Sequence, residues 1–247
     1  MTDGLLLNVG NTHTQIAALC AGVLGPVRCV RTAALLTGEP LPELSGGREG
    51  GPCLAACVVP AAADALRRHC GAARLRFLDA SMVTEIDFSL VEAATVGADR
   101  IANAVALAET LGVPGLVVDC GTAITLEAVD GARRFRGGAI LPGRQLQRRS
   151  LHEHTALLPL VGLEFSRPSA FGTCTEGAIC AGIDIGTLGA LRELIDTVRA
   201  SLGGAACAAV LIGGDAAYFA RHLPGVVRGS ETFTLAGLAA VAAHLHL

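Results

Sequence analysis

Two carboxylates bracket one helix–loop–strand stretch of the chain. Asp99 lies in Gly97-Ala98-Asp99-Arg100 and Asp119 in Asp119-Cys120-Gly121-Thr122. Between them run an alanine-rich segment, a break at Gly112-Val113-Pro114-Gly115, and the apolar run Leu116-Val117-Val118. Residues of these types suit phosphate chemistry. A carboxylate beside an open backbone can take the proton of an attacking hydroxyl. A turn built from Gly and Thr presents N–H groups and a hydroxyl to phosphate oxygens. Asp99 also falls at the N-cap position expected for a helix over residues 100–111, where its carboxylate would accept backbone N–H bonds for structural reasons alone. Arg100 next door, and the small Gly97 and Ala98 before it, leave room for a ligand and favour the functional reading.

A third candidate lies near the start. Residues 5–9 read as a buried strand, Gly10-Asn11-Thr12 as a turn, and residues 13–19 as a return strand. A single Asn/Gly hairpin of this kind is usually only a hairpin. Here the pattern recurs: residues 116–129 repeat strand, Asp119-x-Gly-Thr and return strand, 111 positions after Asn8-x-Gly-Asn-Thr. A late strand, 208–212, runs into Gly213-Gly214-Asp215, a candidate nucleoside-side loop. Duplication of this kind predicts an α/β fold of two similar lobes, residues 1–112 and 113–247, with a cleft between them for ATP phosphates.

The remaining elements must position these loops. The spacing of Ile101, Val105, Ala108 and Leu111 predicts a helix with one buried face. A strand and the start of a short helix are expected over 27–36, a surface loop over 37–52, a strand over 54–59, a helix over 61–70 and a strand over 74–78. After Asp130-Gly131, the strongest hairpin dipeptide in the chain, comes the Gly-rich Gly137-Gly138-Ala139-Ile140-Leu141-Pro142-Gly143, where backbone can pass close to a ligand. Helices are expected over 145–155, carrying Arg144, Arg148 and Arg149 at its start and along it, and over 174–194, 216–222 and 235–246.

Composition narrows the class. Half of the 247 residues are apolar, with seven Phe, one Tyr and no Trp, so Ala, Leu and Val must fill the core. A formal net charge of −3 gives no electrostatic case for nucleic acid or an anionic membrane surface. The nine Cys are odd in number, and acidic Met1-Thr2-Asp3-Gly4 is unlike a signal peptide, so reduced thiols in a cytoplasmic protein are expected. Cys53-x3-Cys57 has no partner pair at metal-ligand spacing.

Taken together these motifs resemble the type III pantothenate kinases, of the acetate and sugar kinase/Hsc70/actin superfamily. Asn8-Val9-Gly10-Asn11-Thr12 is similar to that family's first phosphate loop, Gly97-Ala98-Asp99-Arg100 with Asn103 and Ala104 to its pantothenate-site segment, and Asp119-Cys120-Gly121-Thr122 to its second phosphate loop. The Gly137–Gly143 run, Thr155-Ala156-Leu157-Leu158-Pro159, Gly172-x-x-Thr175-x-x-Ala178, Gly213-Gly214-Asp215 and Leu235-x-Gly237-Leu238 follow in the family's order.

The resemblance implies duplicated actin-like, ribonuclease H-like lobes. It implies phosphoryl transfer from ATP to the primary hydroxyl of pantothenate, the first step of coenzyme A synthesis. By carry-over Asp99 is the general base. Gly97, Ala98, Asp99, Arg100 and Thr175 bind pantothenate, and Asn8, Gly10, Asn11, Thr12, Gly121 and Thr122 bind ATP. Asp119 helps hold Mg²⁺ or a monovalent cation, K⁺ or NH4⁺. A homodimer is implied, and Ala and Leu expected on the surface of the 174–194 run suit it. Two departures stand out: Asn8 replaces the family's Asp, and Leu90 and Ala93 stand where Tyr and Pro are frequent. They keep open a nucleotide- or pantothenate-binding regulator, and a kinase for another small alcohol.

Overall fold

The first hairpin forms as its pattern predicts: β1 (Gly4–Val9) pairs antiparallel with β2 (His13–Cys20), Asn8 facing Gln15 and Val9 facing Thr14. The structure is a computed structural model that describes residues 4–37, 39, 41, 44, 51–164 and 166–247. Most of the loop expected over 37–52 lies outside the described residues. The chain divides into two compact units: Met1–Val113 with Ala132–Arg136 and Glu231–Leu247, and Pro114–Gly131 with Gly137–Ser230.

In the first unit, short strands β3 (Val23–Leu24) and β4 (Arg28–Arg31) both join β2, and α1 (Thr32–Thr37) follows. On its other side β1 pairs in parallel with β5 (Cys53–Cys57), and β5 with β6 (Leu75–Phe77), giving the order β3-β2-β1-β5-β6. Cys53, Leu54, Ala55 and Ala56 are all buried, which is why this strand reads as an unbroken apolar run. Helix α2 (Pro60–Cys70) joins β5 to β6, opened by a proline where a missing N–H costs nothing.

Helix α3 (Ala98–Thr110) completes this unit with α8 (Phe233–His244), the last helix of the chain. Their contact is close enough that a methyl group at Gly237 would strike the Ala102 carbonyl. Thr234 Oγ1 donates to Asn103 Oδ1 across it at 2.8 Å. Residues 132–136 join the same unit: Asp87 N donates to Arg133 O at 2.9 Å, Phe135 N to Asp87 O at 2.8 Å, and the rings of Phe88 and Phe135 lie 5.1 Å apart.

The second unit repeats the plan. β7 (Gly115–Cys120) pairs antiparallel with β8 (Ala123–Val129) and in parallel with β11 (Ala208–Ile212). β9 (Phe135–Gly137), whose first two residues belong to the first unit, precedes β10 (Ile140–Pro142), and β12 (Val227–Arg228) edges β11, in the order β10-β8-β7-β11-β12. Each unit therefore sets an antiparallel hairpin beside a parallel strand, and Asn8 and Asp119 occupy matching places near the end of the leading strand.

Helices α4 (Arg144–Glu153), α5 (Thr175–Cys180), α6 (Gly186–Ser201) and α7 (Ala216–Ala220) complete the second unit. The run expected over 174–194 extends to Ser201, and a π-helical turn, Ala181–Ile185, interrupts it. Its leucines are not on the surface: Leu188 and Leu191 are buried in the core with Ile195 and Leu211, while Gly189 is exposed and Ala178, Gly182 and Gly186 lie outside that core. The helical period puts the large apolar residues on the buried face and the small ones outside. All nine cysteines are free thiols.

Candidate active site

The candidate residues of the first unit gather at the carboxyl ends of its parallel strands, where open α/β sheets take ligands. Gly10 N donates to His13 O at 3.0 Å and closes the turn, and Thr32 Oγ1 donates to Gly10 O at 2.6 Å from below. Asn11 and Thr12 stay exposed. Val9 O accepts from Val58 N at 3.1 Å, so the end of β1 is tied to the residue just after β5. A Cβ at Gly97 would stand 3.6 Å from Val58 Cγ1. The start of α3 is thus seated against the same strand ends as the turn.

Asp99 is not the N-cap. Gly97 holds that position, and Asp99 is the second helical residue, its Oδ1 accepting from Arg100 N at 2.8 Å. The helix begins earlier than expected because Ala98 is buried and forms part of its first turn. A side chain at Gly97 would meet Asp99 Oδ1 at 2.7 Å, so glycine leaves that carboxylate its space. Burial raises the Asp99 pKa above the ordinary carboxylate value, opposed by the Arg100 N–H and the Arg100 charge. The Arg100 guanidinium lies 5.9 Å from the centre of the Phe135 ring.

In the second unit Asp119, next to last in β7, is in register with Ile212, the last residue of β11, and Gly213-Gly214-Asp215 follows β11 directly. Gly213 has φ +87°, and a methyl there would strike Asp119 Oδ1 and come within 2.8 Å of the Cys120 backbone. Asp215 N donates to Cys120 O at 3.0 Å. On the other side Gly143 N donates to Thr122 O at 3.0 Å, and a methyl at Gly143 would strike Gly121 O and stand 2.6 Å from Thr122 O. Two backbone segments therefore converge on the Asp119–Thr122 turn, one from each side. The buried Cys120 thiol is pushed well up by desolvation, with Asp119 and Asp215 adding to it, and stays neutral. Thr175 stands exposed as the first residue of α5, whose N-cap Cys174 Sγ accepts from Gly177 N at 3.4 Å.

Asn8, Gly10, Asn11, Thr12, Gly97, Ala98, Asp99 and Arg100 thus belong to the first unit, and Asp119, Gly121, Thr122 and Thr175 to the second. One further cluster goes beyond the residues that the motifs single out. Arg144 and Arg148, both fully buried, converge on buried Asp184, and Arg144 also reaches Asp215. The i, i+4 spacing of the two arginines puts them on one helix face. Nothing local marks Asp184, whose place depends on the π-helical turn.

A profile of the family described as type III pantothenate kinase matches residues 4–197. A type III pantothenate kinase of Akkermansia muciniphila is 32% identical over 244 residues, covering 98% of this chain and 99% of its own. Among solved structures, a Baf family protein of Campylobacter jejuni superposes with TM-score 0.67 at 18% identity, over 98% of each chain. An archaeal actin homologue does so with TM-score 0.52 at 10% identity, over 98% of this chain and 99% of its own. At such identities the structures speak to fold, and they bear out the duplicated actin-like architecture. The family profile and the end-to-end relative agree with the order of the loops: this chain belongs to the type III pantothenate kinase family.

Proposed function

We propose that this protein transfers the γ-phosphoryl group of ATP to the primary hydroxyl of pantothenate, giving 4'-phosphopantothenate in the first step of coenzyme A synthesis. The observation that carries the reading is Asp99: a half-buried carboxylate at a helix start, with Arg100 beside it and a glycine keeping its Oδ1 clear. Asp99 takes the hydroxyl proton as the substrate oxygen bonds to phosphorus and the bond from phosphorus to the ADP oxygen breaks. Arg100 and Thr175 bind the substrate, its carboxylate suiting the Arg100 charge, and Gly97 and Ala98 give it room. Gly10, Asn11, Thr12, Gly121 and Thr122 offer N–H groups, amide and hydroxyl to phosphate oxygens.

Among the described residues no group of three or more His, Cys, Asp or Glu side chains could hold a metal ion. That fits Mg²⁺ in a kinase, which keeps waters and binds through one or two carboxylates plus phosphate. Asp119 is the residue we assign to it. Bound there, Mg²⁺ would neutralise phosphate charge. A monovalent cation, K⁺ or NH4⁺, belongs to the same assignment. Homodimer formation is supported by large apolar side chains left on the surface of the second unit, Leu157, Leu160 and Phe171. A cytoplasmic location belongs to the same proposal; among the described residues no helix is long and apolar enough to cross a membrane.

Pantothenate-dependent ADP release, measured in a coupled assay with Mg²⁺ varied, tests the proposal. Asp99→Asn should lower turnover by ~10²–10⁴-fold while nucleotide binding holds. ATP binding without ADP release on pantothenate would overturn it. A second reading, a nucleotide- or pantothenate-binding regulator, draws on Asn8, whose amide is paired with Gln15 where the family carries an acid. Release of ADP on other small alcohols but not on pantothenate would identify the third.

A further inference from the structure

The second unit contains a four-charge cluster, buried at Arg144, Arg148 and Asp184 and partly exposed at Asp215, that reaches the candidate nucleotide loops. Arg144 is fully buried. Its Nε donates to Asp184 Oδ1 at 2.8 Å, its Nη2 to Glu164 O at 2.7 Å and its Nη1 to Asp215 Oδ1 at 3.3 Å. Its guanidinium carbon lies 3.7 Å from the centre of the buried Tyr218 ring. Arg148, one helical turn on, closes on both oxygens of Asp184 at 2.8 and 2.9 Å. Two cations and two anions balance.

Stability alone explains this cluster poorly. Buried ion pairs repay their desolvation only in part, and apolar replacements are often as stable. The cluster also leaves Arg148 Nε buried without a hydrogen-bond partner. Asp215 stands at the N-cap of α7 yet makes no side-chain capping bond there, and its carboxylate is spent on Arg144 instead. What the cluster does achieve is a fixed distance between two loops. Gly143 rests its backbone on Gly121 and Thr122, and the very next residue, Arg144, holds Asp215. Asp215 in turn is anchored by its N–H to Cys120 O.

We propose that Arg144 is a positioning residue for the nucleotide: the Gly143-Arg144 dipeptide clasps the Asp119–Thr122 turn to the Gly213-Gly214-Asp215 loop and sets the spacing at which they receive ATP. The proposal rests on the assignment of Gly121 and Thr122 to ATP phosphates made above and on the reading of Gly213-Gly214-Asp215 as a nucleoside-side loop. A guanidinium is required because one fork serves three acceptors, an Asp184 oxygen, a carbonyl and an Asp215 oxygen, from three separate nitrogens, which an ammonium cannot match.

The test is ATP affinity by isothermal titration calorimetry, set beside steady-state kinetics and thermal melting. Arg144→Lys keeps the charge and loses the fork. Asp215→Asn keeps the shape and loses the charge, and because that side chain is partly exposed it gives a folded protein even where Arg144 variants do not. Leu191→Ala, in the core of the same unit, supplies a control that lowers thermal stability without touching the clasp. The expected result is an ATP Kd raised by about tenfold or more in both clasp variants, with KM for pantothenate and kcat at saturating ATP within about twofold, and an unchanged ATP Kd in Leu191→Ala. Wild-type ATP affinity in Arg144→Lys and Asp215→Asn overturns the clasp, as does an equal loss in Leu191→Ala. A wild type that binds ATP but leaves pantothenate unphosphorylated overturns the kinase assignment and leaves the clasp standing on the calorimetry.

Discussion

Asn8 and Gln15 face each other across the first hairpin, with Asn8 Nδ2 donating to Gln15 Oε1 at 3.3 Å. Gln15 Nε2 donates to Glu231 O at 2.9 Å, which fixes the Gln15 amide and therefore the Asn8 amide. The NH2 of Asn8 is thus occupied, and its Oδ1 is the atom left for a ligand, an acceptor without charge. A hard cation gains far more from a carboxylate.

Asn8→Asp should therefore raise Mg²⁺ affinity and, with Asp99 and Asp119 intact, raise turnover on pantothenate. Gln15 can rotate its amide to donate to the new carboxylate at the expense of Glu231 O. Titration of ATP binding against Mg²⁺ checks the first effect and the ADP assay the second. Unchanged Mg²⁺ dependence would show that the first loop does not meet the metal.

The pKa of Asp99 is raised, first by burial, and this sets two pH effects. Activity needs the carboxylate, so the rate should fall as pH drops through the raised pKa, and the acid limb of the profile should lie above the ordinary carboxylate range. Stability runs the other way. Between the unfolded and folded values the native chain holds more protons, so this group's contribution declines as pH rises through that window. Asp99→Asn should melt no lower than wild type at neutral pH, with any advantage shrinking in acid. A lower Tm at neutral pH would mean that the charged form is stabilised in the fold.

How much of this is legible in sequence varies with the range of the interaction. Both hairpins are, because an apolar run, a Gly turn and a return strand are local. The Asp119–Thr122 turn is, although Gly213 and Gly143 resting on it are visible only as glycines without a partner. The capping position stands two residues before Asp99, since buried Ala98 gives no polar signal for a helix start. The seat of α8 on α3 is not legible: residues 235–246 are apolar almost all round, so their pattern names no face. The Arg144–Asp184 pair spans forty positions and a π-helical turn, and no local pattern encodes either.

The α3–α8 contact predicts a sharp contrast between two glycines. Gly237→Ala would drive a methyl into the Ala102 carbonyl, and backbone cannot yield as a side chain does. Overpacking typically costs ~1–3 kcal/mol, and this contact should reach the upper end. Gly189, in α6, has nothing within 4 Å of where a methyl would stand, so Gly189→Ala should gain about 0.5–1 kcal/mol from helix propensity. Chemical denaturation of the two variants against wild type measures both, and a mild effect at Gly237 would mean that the helices can separate.

Gly213 and Gly214 are adjacent and should fail differently. Gly213 has φ +87° and lies against Asp119 Oδ1 and the Cys120 backbone, so Gly213→Ala strains the loop and displaces Asp119 together. It should lose thermal stability by ~1–3 kcal/mol and ATP affinity with it. Gly214 has no protein atom within 4 Å of the place a methyl would take, and its φ is not in the left-handed region. Nothing within the protein requires glycine there; close approach of a nucleotide to the backbone would. Gly214→Ala should therefore melt with the wild type while its ATP Kd rises. Melting curves with and without ATP separate the cases, because a bound ligand raises Tm according to its affinity for the folded chain. If Gly214→Ala keeps the full ATP-induced rise in Tm, the nucleotide does not pass over this loop, and the assignment of Gly213-Gly214-Asp215 to the nucleoside side fails.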